Sequence, residues 1–361
     1  MDKKTVKETN EEELDVVEEP KEEEAYIRYE ITTYPSDFTL SVLYNKWQNE
    51  EIIIPGFQRK FVWDQDRASL LIESFLLGLP VPNVFFYVDQ NNKSLVIDGQ
   101  QRLMTVFYFF DGYFGEADEK GRRKIFKLTG LKEDNPFAGK DYNDIKDTDN
   151  GIKFRDSVLR AMNILQLSPR HDDTAIYHIF ERLNKGGVSL TPQEVRNCVY
   201  RGDFNNCLFD LNSDPNWRKI LGKSKADIHY KDIELILRVT ALSKNHQKYE
   251  SPMKEFLNKY MAANQNASKE WLATLSKRFK ETSHLIIEKL GEKPFRPFGP
   301  INTSMLDSIF AVLMDNFEKA PSDLSERYKN LLSQNLFVRF GTNSTRAVKD
   351  RLREVKSILI G

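Results

Sequence analysis

The chain has 361 residues, a formal net charge of -1, 40% hydrophobic residues and 30% charged residues. This composition is typical of a globular protein with a sizeable core, and the length allows two domains. The two cysteines, Cys198 and Cys207, are too few for a disulfide framework or a structural zinc site. No apolar run is long enough to span a membrane or resembles a signal peptide, so we expect a cytoplasmic protein with no membrane partner.

The acidic residues are concentrated at the N-terminus. Residues 1–24 hold 11 of the 54 Asp and Glu residues and 4 of the 53 Lys and Arg residues, which leaves the rest with a net charge of about +6. Because apolar residues are few here, we expect residues 1–25 to be a disordered acidic tail. The mildly basic body is compatible with DNA binding but is also ordinary for a solvated surface. The tail is either a solubilising extension or an electrostatic competitor of DNA.

Short strand and helix patterns alternate over residues 26–170. Strands are predicted at 26–31, 52–54, 84–88, 94–97 and 158–167, and helices at 36–47, 65–77 and 103–110. Asp64 and Gly78 are the expected cap and stop of the helix 65–77. A polar turn makes a hairpin of the third and fourth strands, and residues 115–150 have the composition of an insertion. These patterns predict a small domain with a mixed sheet.

From residue 171 to the end, the pattern is helical. Helices are predicted at 174–183, 191–202, 230–243, 250–263, 268–290, 302–318, 322–333 and 345–359. Thr191, Pro192 and Glu194 form a strong start signal for the second of these, and Gly202 is its expected end. The predicted fold class is therefore α+β, with a small mixed-sheet domain followed by an all-helical domain over residues 171–361.

The segment Asp98-Gly99-Gln100-Gln101-Arg102 lies between an apolar strand pattern and an apolar helix pattern. Glycine at such a junction lets the backbone approach a ligand, and the N–H groups and positive end of the helix favour an anion. Arg102 adds a planar donor suited to phosphate. The segment therefore predicts a phosphate site. Asp and Gly also serve turn geometry alone at such junctions, and Arg102 also fits a surface ion pair.

A basic stripe runs along the last predicted helix. Its members recur at helical spacing and are Arg346, Lys349, Arg353 and Lys356. Such a stripe suits contact with a phosphate backbone, and we take these residues as candidate DNA-binding residues. Asp350 and Glu354 lie beside them, so a solvated, internally paired face is an equal alternative.

Four motifs together carry a family resemblance. They are Phe57-Gln58-Arg59, Asp98-Gly99-Gln100-Gln101-Arg102, the run from Phe180 to Gly187, and Gln193-Glu194-Val195-Arg196-Asn197. With these motifs the chain resembles the N-terminal domain family of GmrSD-type modification-dependent restriction enzymes, over about residues 26–210. That family is similar to the ParB and sulfiredoxin fold, so the resemblance implies a ParB-like domain at 26–170. In the sulfiredoxin branch a cysteine lies in the equivalent turn, and none lies there in this sequence.

The resemblance implies a nucleotide-hydrolysing protein that recognises DNA in phage defence or modification-dependent restriction. The nucleotide would be ATP or GTP with Mg²⁺, and Asp98, Gln100, Gln101 and Arg102 would be the catalytic residues. Arg102 would hold phosphates, the two glutamines would orient a water or a base edge, and Asp98 would hold a metal-bound water or Arg102 itself.

Further residues are expected around the same nucleotide. Gly99 would contribute its N–H to the phosphates. Gln58 and Arg59 would reach the cleft from the preceding Pro-Gly turn, and Asn184 and Gly187 would close its other side. The aromatic residues beside the first pair, including Phe61 and Trp63, are expected in the core rather than as platforms for base stacking.

Two other functions stay open at this point. None of the five histidines stands in a recognisable nuclease motif. One alternative to the nucleotide-hydrolysing protein is a non-catalytic DNA-binding adaptor for a separate nuclease. The other is a metal-dependent nickase that uses acids such as Asp98 and Glu73. A homo-oligomer is also compatible with the sequence.

Overall fold

The structure is a computed structural model that describes residues 11–16, 30–54, 61–89, 92–118, 120–132, 134–168, 191–296 and 299–361, with residues 176 and 179. The chain forms two compact units. One contains Arg28–Ser189, and the other contains Met1–Ile27 together with Leu190–Gly361. None of the helices in these ranges is both long and apolar enough to cross a membrane.

Within the described ranges, the strands in chain order are β1 (Glu11–Glu12), β2 (Glu30–Thr39), β3 (Ile52–Ile53), β4 (Val84–Val88), β5 (Ser94–Asp98), β6 (Tyr113–Phe114), β7 (Lys124–Ile125), β8 (Val158–Ser168) and β9 (Ala226–Asp227). The helices of the first unit are α1 (Leu40–Gln48), α2 (Gln65–Leu77), α3 (Gln100–Asp111), α4 (Tyr142–Ile145) and α5 (Asp149–Asp156). Those of the second are α6 (Pro192–Val199), α7 (Asp203–Asn212), α8 (Pro215–Leu221), α9 (Lys231–Asn245), α10 (Met253–Asn264), α11 (Lys269–Leu290), α12 (Thr303–Asp315), α13 (Leu324–Ser333), α14 (Leu336–Arg339) and α15 (Thr345–Leu359).

A five-stranded mixed sheet in the order β2-β8-β4-β5-β3 organises the first unit. β2 is antiparallel to β8, β8 is parallel to β4, β4 is antiparallel to β5, and β5 is parallel to β3. The apolar faces of α1, α2 and α3 bury a core that is rich in phenylalanine, with rings from Phe107, Phe109, Phe126 and Phe154 fully enclosed. The sheet and the helical region after it confirm the predicted α+β class.

The predicted start and end of α2, at Asp64 and Gly78, are correct. The carboxylate of Asp64 accepts a hydrogen bond from the N–H of Arg67 at 2.8 Å and starts α2. Gly78 ends it in the left-handed conformation, with φ of +80°. The hairpin of β4 and β5 is also confirmed, because the two strands pair in antiparallel register.

The predicted helix start at Ser36 was wrong. β2 continues through this point to Thr39, whose hydroxyl accepts from the N–H of Val42 and caps α1. The polar side chains that suggested an earlier cap are used across the sheet instead. Asp37 pairs with Arg160 at 2.7 Å, and the Ser36 hydroxyl accepts from the amide of Asn163 at 2.8 Å, both on β8.

The polar segment expected as an insertion takes no part in the five-stranded sheet where the structure describes it. It carries α4 and β7, which pairs with β6 just before the segment, and it sends apolar side chains into the core. The Thr129 N–H donates to the hydroxyl of Ser69 on α2 at 2.9 Å, and the amide of Asn135 donates to Glu73. The segment is therefore packed on α2.

The second unit is built almost wholly of helices, as predicted. Thr191 and Glu194 form the expected capping box at the start of α6. The predicted end at Gly202 was wrong, because α6 stops at Val199 and Gly202 is the N-cap of the next helix, α7. The helices α7, α8 and α14 had no predicted counterpart. The predicted helix 174–183 lies outside the described residues except for residues 176 and 179.

Part of the acidic N-terminal segment is ordered, in contrast to the expectation of a disordered tail. β1 pairs in parallel with β9, and the side chain of Leu14 is 2% exposed. The Leu14 N–H donates to the carboxylate of Asp227, and the carbonyl of Asp15 accepts from the N–H of Ile301 at 3.0 Å. Leu14, Val16 and Val17 are too few apolar residues among the acids to give a periodic signal. The rest of the expected tail lies outside the described residues.

Candidate functional site

The Asp98–Arg102 segment forms a tight strand-to-helix turn in the first unit. β5 ends at Asp98, and Gly99 is the N-cap of α3 with φ of +96°. A Cβ atom on Gly99 would lie 2.4 Å from Cγ1 of Val84 on the neighbouring β4. Glycine is therefore required twice, once by the left-handed backbone and once by the close packing of the turn on β4.

Arg102 is fixed by two contacts that cross this turn. Its Nη2 donates to the carboxylate of Asp98 at 2.8 Å and to the carbonyl of Asn83 at 3.0 Å. The Arg102 side chain is only 18% exposed, and its Nε is buried with no hydrogen-bond partner among the described residues. The guanidinium is thus held in place through Nη2, while Nε makes no hydrogen bond to a described residue.

The two glutamines have different environments. Gln101 accepts hydrogen bonds through Oε1 from the N–H groups of Val62 at 3.0 Å and Trp63 at 3.3 Å. It therefore fixes the segment that follows the Phe-Gln-Arg motif. Gln100 makes no side-chain hydrogen bond to another residue of the described chain and is partly exposed. Phe61 and Trp63 pack against the core, and Phe61 meets Tyr108 edge-on at 5.1 Å, which supports the expected core role.

The start of α3 leaves backbone donors available. The first hydrogen bond within the helix runs from the Leu103 N–H to the Gly99 carbonyl at 3.0 Å, and Gly99 offers no side-chain cap. The N–H groups of the three residues before Leu103 then point from the positive end of the helix, with no acidic side chain in the first turn. This arrangement suits a phosphate group.

Asp98 is the carboxylate available to a metal ion at this turn. Its side chain is 52% exposed, and one oxygen is occupied by Arg102. Among the described residues, no group of three or more His, Cys, Asp and Glu could hold a metal ion. Mg²⁺ commonly binds through one or two carboxylates together with substrate phosphates. The donor set therefore fits a Mg²⁺ that arrives with a nucleotide, and it does not fit a metal cage made by protein alone.

The predicted basic stripe lies on the outer face of α15 in the second unit. Arg346, Arg353 and Lys356 are exposed, Lys349 is partly exposed, and the opposite face of the helix is buried. All four line a cavity of about 420 Å³. Asp350 pairs with Arg353 at 2.8 Å and with Arg346 at 3.5 Å, so it offsets only part of the positive charge.

The structure does not place every predicted site residue. Gln58, Arg59, Asn184 and Gly187 lie outside the described residues, so their expected positions around the nucleotide stay predictions. Glu73, the second acid of the nickase hypothesis, accepts a hydrogen bond from Asn135.

The thiol of Cys207 is unsuited to nucleophilic chemistry. Cys207 is buried and free, and its burial raises the pKa of the thiol above the usual value. A raised pKa keeps the sulfur in the unreactive thiol form at neutral pH. The side chain of Cys198 lies outside the described residues.

The fold is an α+β domain whose strand-to-helix turn brings together the N-terminus of α3 at Gly99, the held guanidinium of Arg102 and the exposed carboxylate of Asp98. Residues 40–201 match the GmrSD restriction endonuclease N-terminal domain family. The family indicates a component of a restriction system. No curated protein matches the chain. The match ends at residue 201, just after α6, so most of the second unit lies outside it.

Proposed function

We propose that the chain binds a nucleoside triphosphate with Mg²⁺ at the Asp98–Arg102 turn and uses its hydrolysis to control an action on DNA. The observation that carries this proposal is the combination of an α3 N-terminus without a side-chain cap and an Arg102 whose buried Nε has no hydrogen-bond partner among the described residues. Both features leave hydrogen-bond donors without a protein partner at the same turn, among the residues that the structure describes. The restriction endonuclease family of residues 40–201 supplies the link to DNA.

Each residue of the turn has a separate task in this mechanism. The α3 N–H groups and Arg102 bind phosphate oxygens and stabilise the charge that develops on them. Gln100, whose amide makes no hydrogen bond to another described side chain, orients the attacking water by donating and accepting hydrogen bonds. Asp98 holds Arg102 and has an accessible oxygen for Mg²⁺, which when bound would neutralise charge on the phosphates.

For Gln101 we propose a structural task, whereas the sequence suggested a catalytic one. Its Oε1 already accepts from two backbone N–H groups, which leaves it no free acceptor geometry for a water. We therefore assign it to positioning the segment around Val62 against α3.

The test is to measure phosphate release from ATP and GTP, with and without DNA, for the wild type and Gln100→Ala. We expect Gln100→Ala to lower the turnover by at least tenfold while triphosphate binding and the thermal unfolding midpoint stay close to wild type. The matched control is Gln48→Ala, which removes the same type of side chain from the C-terminal end of α1. Unchanged turnover in Gln100→Ala would remove it from the catalytic step.

Arg102→Ala and Gln101→Ala test the turn differently. The sequence alone predicts loss of hydrolysis without loss of stability in both. The structure instead predicts a loss of stability in both variants, because each side chain holds a backbone group of a neighbouring segment. We expect both variants to lose triphosphate binding and to unfold at lower denaturant concentration. Full triphosphate binding by Arg102→Ala would disprove the phosphate site.

DNA contact through the basic stripe is the second part of the proposed function. Asp350 offsets only part of the charge of the stripe's exposed cations. This favours contact with DNA over a surface in which every cation is paired with an acid. If the protein binds DNA but releases no phosphate from either triphosphate, the adaptor for a separate nuclease replaces the proposed NTPase. Nicking of supercoiled plasmid with Mg²⁺ alone would instead favour the nickase.

A further inference from the structure

A second cavity lies in the helical unit, beyond the residues matched by the family. It has a volume of about 720 Å³, within the usual range for ligand sites. Three aromatic rings line it: Phe256 and Tyr260 from α10, and Trp271 from α11. Phe256 and Tyr260 are each 8% exposed, whereas Trp271 is 37% exposed, so one large ring is left open to solvent beside two buried ones.

Further aromatic rings pack behind the aromatic wall. Phe204 of α7 meets Tyr260 edge-on at 5.6 Å and Trp271 edge-on at 5.8 Å, and it is itself fully buried. Phe256 packs edge-on against the buried ring of Tyr249 at 5.1 Å. Rings supported in this way offer a preformed surface for a flat aromatic group, at little cost in side-chain ordering.

The rim of this cavity is positively charged. Lys244, Lys248, Lys259 and Arg278 line it, against the acids Asp315 and Glu318. Both acids are already paired, Asp315 with Lys244 at 2.7 Å and Glu318 with Arg278. Lys248 and Lys259 are exposed and form no ion pair with another described residue. A ligand with a flat aromatic body and a negative charge fits both the wall and the rim.

The aromatic cavity adjoins the cavity of the basic stripe. Ser243 and Asp315 line both, so the ends of α9 and α12 separate the two. Along α15 the stripe from Arg346 to Lys356 extends about 15 Å at the helical rise, which is about four phosphate steps of one DNA strand. A strand that lies on the stripe would therefore pass directly beside the aromatic cavity.

We infer that the helical unit holds one nucleotide of a DNA strand in the aromatic cavity, with the neighbouring phosphates on the basic stripe. This inference rests on the DNA contact in the proposed function and adds where a base is received. Stacking of a base on aromatic rings contributes to affinity with little sequence preference, and cations on the rim hold the phosphates. A base from duplex DNA must first leave the stack, which is easiest at a mismatch.

The experiment measures binding of a labelled single strand of about 12 nucleotides to the full chain without any triphosphate. We expect Trp271→Ala to weaken binding by at least fivefold, while Trp271→Phe, which keeps a ring, stays within about threefold of wild type. Arg346→Ala combined with Arg353→Ala should lower the slope of log affinity against log salt by about 1.4. Lys277→Ala, an exposed lysine of α11 outside the cavity, is the matched control for charge.

Two further arms identify the source of the nucleotide. A duplex with one mismatched base should bind more tightly than the perfect duplex, and wild type should show a larger difference than Trp271→Ala. Equal affinity of wild type and Trp271→Ala for the single strand, with both folded by circular dichroism, would overturn the inference. Binding of a free mononucleotide as tight as that of the strand would also overturn it. Because no triphosphate is present, loss of hydrolysis at the α3 turn has no effect on either result.

Discussion

Gly99 is the residue whose replacement tests the geometry of the α3 turn most directly. In Gly99→Ala, the added Cβ meets Val84 at 2.4 Å on a backbone with φ of +96°. The left-handed conformation alone costs about 1–2 kcal/mol for a residue with a side chain, and the contact adds to it. We expect a free energy of unfolding lower by at least that amount in urea denaturation, together with loss of triphosphate binding.

Gly121→Ala is a suitable control for this change. Gly121 also has a positive φ, of +75°, but no atom lies within 4 Å of its added Cβ. It should lose only the backbone contribution and keep triphosphate binding. Equal losses in both variants would show that the contact with Val84 is not significant.

At this same scale, the sequence identified the turn but not the contacts within it. Asp98 and Arg102 are four residues apart across a strand end and a helix start, so their pairing could be anticipated. The carbonyl of Asn83, which accepts from Arg102, lies 19 positions away in sequence. The N–H groups of Val62 and Trp63, which donate to Gln101, lie 39 and 38 positions away. No local pattern encodes such tertiary contacts, and Gln100 and Gln101 therefore looked equivalent.

Among the elements of the helical unit, α9, α12 and α15 are joined by a buried charged cluster. Asp307 on α12 accepts from Arg238 on α9 at 2.7 Å and from Arg351 on α15 at 3.4 Å, and all three side chains are at most 3% exposed. Arg351 also donates to the Ser308 hydroxyl and to the carbonyls of Phe340 and Thr342. The cluster holds the helix that carries the basic stripe.

Asp307→Ala should therefore be strongly destabilising. Arg238 and Arg351 would lose the buried carboxylate that they share, and removing one partner of a buried pair typically costs about 3–5 kcal/mol. Urea denaturation followed by circular dichroism measures the change. Asp323→Ala breaks the exposed Arg327–Asp323 pair on α13 and should cost less than about 1 kcal/mol. Similar losses for both would contradict the importance of the buried cluster.

The start of a helix could be predicted where its capping side chain bonds within the same segment. It could not be predicted where that side chain bonds to a neighbouring strand instead. The carboxylate of Asp64 caps α2 through a residue three positions later, so the signal lies within the segment itself. Ser36 and Asp37 looked like a cap of the same kind, but Asn163 and Arg160 of β8 use them instead. The aromatic cavity escaped sequence reasoning for a related reason, since its rings lie on separate helices and only packing brings them together.

At the scale of the whole molecule, residues 11–16 tie the N-terminus to the helical unit. Leu14→Ala should lower the stability of this unit by about 2–5 kcal/mol, because Leu14 is almost fully buried. Thermal unfolding of the full chain measures the change. Glu13→Ala, which removes only the exposed pair with Lys231, should be nearly neutral. No effect of Leu14→Ala would restore the prediction of a disordered acidic tail for these residues.

The pairing of β1 with β9 also sets an order for folding on the ribosome. Leu14 and its acceptor Asp227 are 213 positions apart, and the whole of Arg28–Ser189 is translated between them. At about 5–20 residues per second, the N-terminal strand waits roughly 10–40 s for its partner to emerge. The nascent chain therefore offers a complete Arg28–Ser189 segment for folding while its own first strand is still unpaired.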